Sequence, residues 1–96
     1  MSYFQIIEIR TDDYDTLERH HEEWLASTEG ERTVVREWIC RDKDRPDTYF
    51  VIVEFPSEEA AAVNNDLPAT ARIGAAMTEL ALEPPIFRNL DLIRSD

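Results

Sequence analysis

The sequence predicts one α+β domain over residues 1–96 with the element order β-α-β-β-α-β. Four segments are rich in β-branched and aromatic side chains, and two helical regions separate the first strand from the second and the third from the fourth. Residues that cap helices or form turns stand at the junctions. A chain of 96 residues is the length of one domain.

The first half of the chain predicts a strand, a helix and a second strand. Residues 2–10, SYFQIIEIR, are rich in strand-forming side chains. TDD supplies helix-capping residues, and a helical period follows to Thr28, with Gly30 as a left-handed stop. ERTVVREWICRD, residues 31–42, predicts the second strand, which leads through the turn DKDRPD into a hairpin.

The second half predicts a third strand, a helical region in two segments and a fourth strand. Residues 48–55, TYFVIVEF, form the third strand, and Ser57 caps the first helical segment. NNDLP interrupts the helix, and we expect Asp66 to cap the second segment, with Pro68 in its first turn. EPP ends that segment, and residues 86–93, IFRNLDLI, predict the last strand.

This order is that of the ferredoxin-like fold, which has a four-stranded antiparallel sheet in the order 4-1-3-2. The first and third strands, which would be central, carry apolar side chains on both faces. On the third strand the two faces hold Tyr49, Val51, Val53 and Phe55 on one side, and Phe50 and Ile52 on the other. Because the helices cover one face, the second apolar face predicts a homodimer packed sheet to sheet, with a pocket between the sheets.

Composition narrows the partners and the location. The net charge is −11 at pH 7, with 21 acidic and ten basic residues. Nucleic-acid binding requires a basic surface, so we expect neither nucleic acid nor an anionic membrane as a partner. No apolar run approaches the roughly 20 residues of a membrane span, and the first ten residues lack a signal pattern. Cys40 is the only cysteine, which predicts a reducing, cytoplasmic location.

The stretch YFVIVEFPSEEAAAVNNDLP, followed by a helix and PPIFRNLDLI, resembles the antibiotic biosynthesis monooxygenase family. The resemblance covers nearly the whole chain in length and element order. Its most specific part is the third strand, which ends in Glu54 and runs into a capped, alanine-rich helix at residues 58–62. It implies a dimeric α+β barrel and a cofactor-independent monooxygenase that acts on a small aromatic or polyketide-like molecule in a pocket between helices and sheet. The alternative is a non-catalytic small-molecule-binding or stress-associated dimer.

Haem degradation, which some members of this family perform, is a weaker expectation. Many relatives carry a histidine at the end of the helix after the third strand, and the haem-degrading members use a histidine in this half of the chain to ligate iron. Here the region reads AAVNND, with Asn64 and Asn65. Asparagine is a poor axial haem ligand compared with imidazole, so we expect no haem and no other cofactor.

LERHHEEWL holds both histidines of the chain. Neighbouring side chains on a helix diverge by about 100°, so His20 and His21 cannot chelate one ion. The spacing from Glu18 to His21 occurs in di-iron bundles, but that chemistry needs a second such motif and further carboxylates. We therefore predict no metal site, and expect His21 to pack with Trp24 on the outer layer and His20 to lie at the surface near Glu23.

Glu54 is the candidate catalytic residue. It shares a strand face with Phe50 and Ile52, so its carboxyl group would lie in an apolar cavity. Burial disfavours the charged form of a carboxyl group and raises its pKa, which suits a general base. The alternative is a cross-strand ion pair with Arg10, Arg36 or Arg88.

The substrate pocket is predicted to involve Phe50, Ile52, Trp38 and Asn89. Trp38 would form a wall of the pocket or one side of an aromatic sandwich, or would simply pack. Asn89 would donate a hydrogen bond to a ligand carbonyl or cap a strand edge. The sequence contains no serine-histidine-acid set, phosphate-binding loop or dinucleotide motif.

Overall fold

A four-stranded antiparallel sheet with helices packed on one face forms the domain in the computed structural model, which describes residues 2–96. The strands are β1 (Tyr3–Arg10), β2 (Arg36–Arg41), β3 (Thr48–Phe55) and β4 (Ile86–Asp91). The helices are α1 (Tyr14–Ser27), α2 (Glu58–Asn65) and α3 (Pro68–Leu80). The strand order β2-β3-β1-β4 confirms the predicted ferredoxin-like arrangement.

The core lies between the helices and one face of the sheet. β1 and β3 are central and pair over eight residues, from Tyr3 opposite Phe55 to Arg10 opposite Thr48. Alternate residues of β3 are buried against the helices. These residues are Tyr49, Val51, Val53 and Phe55, and they cluster with Ile9, Leu17, Ala61 and Met77.

Side-chain caps fix the starts of two helices. The Asp13 carboxylate accepts hydrogen bonds from the Thr16 backbone N–H at 3.1 Å and its hydroxyl at 2.7 Å, so α1 begins there. Ser57 Oγ accepts from the Ala60 N–H at 3.1 Å and caps α2, as predicted. After α1, Gly30 has φ 83°, which confirms the left-handed stop.

The predicted cap at Asp66 is wrong. The Asp66 N–H donates to Ala62 O at 3.1 Å and closes the end of α2, while α3 begins after Leu67 without a side-chain cap. Pro68 occupies the first turn of α3, as expected. A proline has no backbone N–H, so this helix start has one fewer donor to satisfy.

β2 begins at Arg36, five residues later than predicted. The N–H groups of Glu31 and Arg32 both donate to Thr28 O, at 2.9 and 3.0 Å. These bonds hold the chain at the end of α1, so that sheet pairing cannot start at residue 31.

The face of the sheet that points away from the helices, called here the open face, is also largely apolar. Its apolar members are Phe4, Ile6, Trp38, Phe50, Ile52, Ile86 and Leu90. Trp38 is 39% exposed, and Ile86 and Leu90 are each 44% exposed. Within residues 2–96, no helix is long and apolar enough to cross a membrane.

Candidate functional site

A cavity of about 250 Å³ lies between the helices and the sheet. We call it the helix-sheet cavity. Most of its wall is aliphatic or aromatic, with Ile7, Ile39, Val51, Val53, Ile73 and Met77 among the lining residues. The polar side chains that line it are Gln5, His21, Glu37, Asn64, Asn65 and Thr70. A small number of polar groups in an apolar pocket is the usual composition of a ligand site.

Strand register places Gln5 and Glu37 on the floor of this cavity, with Asn89 beside it. Glu37 lies opposite Val53, Val53 opposite Gln5, and Gln5 opposite Asn89, so these four form one row across the sheet. Gln5 Nε2 donates to Asn89 Oδ1 at 3.1 Å, which joins β1 to β4 on the helix side. The row therefore has an amide pair at one end and the Glu37 carboxylate at the other.

His21 and Glu37 form a close acid-base pair at the cavity wall. His21 Nε2 lies 2.8 Å from Glu37 Oε1, and the two side chains are only 16% and 17% exposed. The hydrogen bond to Glu37 raises the pKa of His21 above its ordinary value of 6.5, although burial acts in the opposite direction. The pair joins α1 to the edge strand β2 and favours the imidazolium form of His21.

Trp24 holds the imidazole and joins two helices. The rings of His21 and Trp24 stack with centroids 5.8 Å apart. Trp24 Nε1–H donates to Thr70 Oγ1 at 3.0 Å, which links α1 to α3. The guanidinium of Arg32 lies 5.7 Å from the Trp24 ring centroid, and its Nη1 donates to Leu25 O at 2.8 Å.

Asn64 supplies a hydrogen-bond acceptor with no partner. Its residue is 4% exposed, and within residues 2–96 its Oδ1 is the one buried side-chain polar atom that makes no hydrogen bond. A buried acceptor without a partner costs about 1–3 kcal/mol, so such atoms are rare in folded proteins. Asn64 lines the cavity, but this oxygen atom is itself buried.

The predicted catalytic and pocket residues on β2 and β3 do not line this cavity. Phe50, Ile52 and Glu54 alternate with the buried residues of β3, and Trp38 pairs with Ile52, so all four lie on the open face. The placement of Glu54 in a cavity between helices and sheet is therefore wrong for this chain. The proposed pocket between two sheets would still include this face.

Glu54 and Trp38 both interact with Arg36. Arg36 Nε is 3.8 Å from Glu54 Oε1, which is the ion pair named as the alternative. Ser2 Oγ–H donates to Glu54 Oε2 at 3.3 Å, and the Arg36 guanidinium lies 5.5 Å from the Trp38 ring centroid.

The structure also locates the remaining predicted residues. Asn89 lies on the helix side, where its side chain accepts from Gln5 rather than lining the cavity. His20 is near Glu23, with Nδ1 and Oε2 3.8 Å apart, as predicted. His21 stacks on Trp24 in the helix layer, as predicted, and it also lines the cavity.

The fold and the site together define a ferredoxin-like α+β domain with an acid-base pair in a small apolar pocket. No protein-family model and no curated protein sequence matches the chain. Solved structures do match it over nearly its full length. A proposed antibiotic biosynthesis monooxygenase from Caulobacter crescentus CB15 has a TM-score of 0.83 and 16% identity, over 97% of this chain and 91% of that one.

Two further structures give the same result. Rv0793 from Mycobacterium tuberculosis has a TM-score of 0.82 and 14% identity, over 99% of this chain and 98% of that one. SnoaB from Streptomyces nogalater, a cofactor-independent oxygenase solved as an asparagine-to-alanine variant, has a TM-score of 0.80 and 14% identity. The match covers 98% of this chain and 94% of that one. The chain therefore has the fold of the antibiotic biosynthesis monooxygenases, as the sequence resemblance predicted.

Proposed function

We propose that the helix-sheet cavity is the active site of a cofactor-independent monooxygenase that acts on a small hydroxylated aromatic molecule. The observation that carries the proposal is the His21–Glu37 pair, 2.8 Å apart at the wall of an otherwise apolar cavity. A general base must be positioned near its substrate, and the hydrogen bond with Glu37 makes the His21 imidazole a stronger base because it raises the pKa of His21.

The first step is the transfer of a proton from the substrate hydroxyl group to His21. Because Nε2–H is bonded to Glu37, Nδ1 is the nitrogen that accepts the proton. The resulting imidazolium is stabilised by its hydrogen bond with the Glu37 carboxylate. The product of this step is a phenolate, which is held in a cavity of low polarity.

Binding and orientation come from the other walls. The indole of Trp24 provides an aromatic surface beside the base. The aliphatic side chains exclude water, which strengthens each polar contact made inside.

The oxidation step requires molecular oxygen as the second substrate. The phenolate donates electrons to O₂, one oxygen atom bonds to an unsubstituted ring carbon, and the other leaves as water. One phenol and one O₂ thus give one quinone and one water. An electron-rich phenolate can supply the electrons itself, so this scheme needs no haem, flavin or metal ion from the protein.

The structural likeness supports this reaction class, since SnoaB is a cofactor-independent oxygenase. The aromatic substrate class follows from the sequence resemblance, and its hydroxyl group is inferred from the His21–Glu37 pair of this chain. The test is oxygen consumption with a panel of one- and two-ring phenols, with ¹⁸O₂ and mass spectrometry to detect incorporation. We expect His21→Ala to lower the rate by about 100-fold or more, and the matched control His20→Ala to leave it unchanged. Phenols that bind without oxygen uptake would instead favour the non-catalytic binding protein.

We also propose that the protein is a homodimer through the open face. Seven large apolar side chains lie there without a covering helix, and such a patch usually marks an interface. Ile52 is at its centre, so Ile52→Asp would place an unpaired charge in the interface and separate the chains. Light scattering that finds only the mass of one chain for the unmodified protein at micromolar concentration would exclude the dimer.

A reducing, cytoplasmic location remains part of the proposal. Cys40 is a free and exposed thiol on β2, and such a group persists best where thiols are kept reduced. Localisation of a tagged chain in its own host tests this statement.

A further inference from the structure

We propose that the helix-sheet cavity selects uncharged one- or two-ring hydroxyaromatic molecules over carboxylated ones, and that Glu37 determines this selectivity. The inference rests on the proposed function for the hydroxyl group of the ligand. The size and charge limits come from the cavity itself, so they can be tested by binding without any turnover.

Volume limits the ligand to one or two rings. The cavity measures about 250 Å³. A protein cavity of about 150 Å³ holds one benzene molecule, and pockets for drug-sized ligands begin near 300 Å³. The helix-sheet cavity therefore has space for one or two fused rings, whereas a four-ring molecule exceeds it.

Charge limits the ligand to uncharged groups. Within residues 2–96, no lysine or arginine lines the cavity, while the Glu37 carboxylate does. Arg32 lies beside Trp24, with its guanidinium 5.7 Å from the ring centroid, and its Nη1 donates to Leu25 O at 2.8 Å and to Thr28 Oγ1 at 3.2 Å. These bonds hold its guanidinium at the end of α1, and Arg32 is not among the residues that line the cavity. A carboxylated ligand would lose its hydration without gaining a counter-charge.

The exclusion of anions should strengthen as the pH rises. The charged groups that act on His21 are Glu37 from β2, Glu22 from its own helix and Arg32 from the segment after α1. When His21 is protonated, the pair with Glu37 has no net charge. When His21 is neutral, the pair carries one negative charge, and it repels an anionic ligand more strongly.

The two tryptophans of the chain provide the readout. Trp24 lines the cavity, whereas Trp38 lies on the open face. Each gives one indole N–H signal in a ¹H–¹⁵N spectrum, and a Trp38→Phe variant assigns them. Titration with 2-naphthol should shift the Trp24 signal with saturation and leave the Trp38 signal in place. Equal shifts of both signals, or a shift of Trp38 alone, would contradict binding in this cavity.

Selectivity is measured with 2-naphthoate, which replaces the hydroxyl group by a carboxylate on the same rings. We expect it to bind about tenfold or more weaker than 2-naphthol at about pH 8, with a smaller difference at about pH 6. The four-ring probe 1-hydroxypyrene should not shift Trp24. Equal affinity for 2-naphthol and 2-naphthoate would overturn the charge limit, and saturable binding of 1-hydroxypyrene would overturn the size limit.

The role of Glu37 is tested by Glu37→Gln, which preserves the size of the side chain and removes its charge. The discrimination against 2-naphthoate should fall by about threefold or more at about pH 8, whereas the control Glu23→Gln, at the surface, should preserve it. Unchanged discrimination in a Glu37→Gln protein with a native spectrum would contradict the assignment. Selective binding without oxygen consumption would refute the proposed function alone, and turnover of carboxylated phenols would refute the selectivity alone.

Discussion

Replacement of Glu37 by glutamine should lower stability more in acid than in base. The glutamine amide oxygen can still accept the Nε2–H of His21, so the variant converts a charged hydrogen bond into a neutral one. A hydrogen bond to a charged group contributes about 1.5–3 kcal/mol, and a neutral one about 0.5–1.5 kcal/mol. Because both side chains are largely buried, little of this difference is lost to solvent screening. We expect a loss of about 1–2 kcal/mol.

The pH range follows from the pKa of His21. Its folded-state pKa is raised above the ordinary value of 6.5, chiefly by the hydrogen bond with Glu37. The extra stability is therefore fully present below the pKa of the unfolded state and is lost as the pH rises through the folded-state pKa. The difference between the unmodified protein and Glu37→Gln should be largest near pH 5.5 and less than about 1 kcal/mol near pH 9.

Thermal unfolding followed by circular dichroism at several pH values measures this effect. A loss of 1–2 kcal/mol corresponds to about 4–10 °C in Tm for a domain of this length. The matched control is Glu23→Gln, because Glu23 forms an exposed His–Glu pair with His20 at 3.8 Å, and such pairs contribute little. A loss for Glu37→Gln that does not change with pH, or no loss at about pH 5.5, would refute the coupling between the two residues.

Three further outcomes are expected. Glu54→Gln should lower the free energy of unfolding by less than about 1 kcal/mol, because its Arg36 partner is 67% exposed and 3.8 Å away; a fall in Tm above about 8 °C would show a stronger role. Gly30→Ala should lower the free energy of unfolding by about 1–2 kcal/mol, because φ at this position is 83°. Gly74→Ala, within α3, should raise it by about 0.5–1 kcal/mol in the same denaturation assay. Equal effects of the two substitutions would contradict the assignment of Gly30 to a left-handed turn. Haemin should give no saturable Soret shift, since His21 Nε2 is bonded to Glu37; a sharp shift that disappears in His21→Ala would show haem ligation.

The fold could be predicted from the sequence because several independent signals agree. The alternation in β3 separates the buried residues from Phe50 and Ile52, and the caps at Asp13 and Ser57 set two helix starts. The start of β2 could not be predicted in the same way. Residues 31–35 have strand-like composition, but the hydrogen bonds to Thr28 O depend on the left-handed turn at Gly30 and its tertiary setting.

The sequence does not show which side of the sheet holds the cavity. Glu54 does share a face with Phe50 and Ile52, as its position in β3 predicts. However, both faces of β3 are apolar, so alternation within this strand cannot show which face the helices cover. The prediction that Glu54 lies in a cavity between helices and sheet depends on which face of β3 the helices cover, and it is wrong because Glu54 lies on the open face.

The His21–Glu37 pair could have been predicted from two patterns considered together. On α1, His21 lies in the same arc as Leu17 and Trp24, which are the buried residues of the helix. A titratable ring at that position faces the sheet and needs a polar partner there. Glu37 lies on the helix side of β2 with Ile39, and it is the acidic residue that the cavity places beside the ring. A polar residue within an apolar helical arc therefore predicts a complementary residue on the strand face that the helix covers.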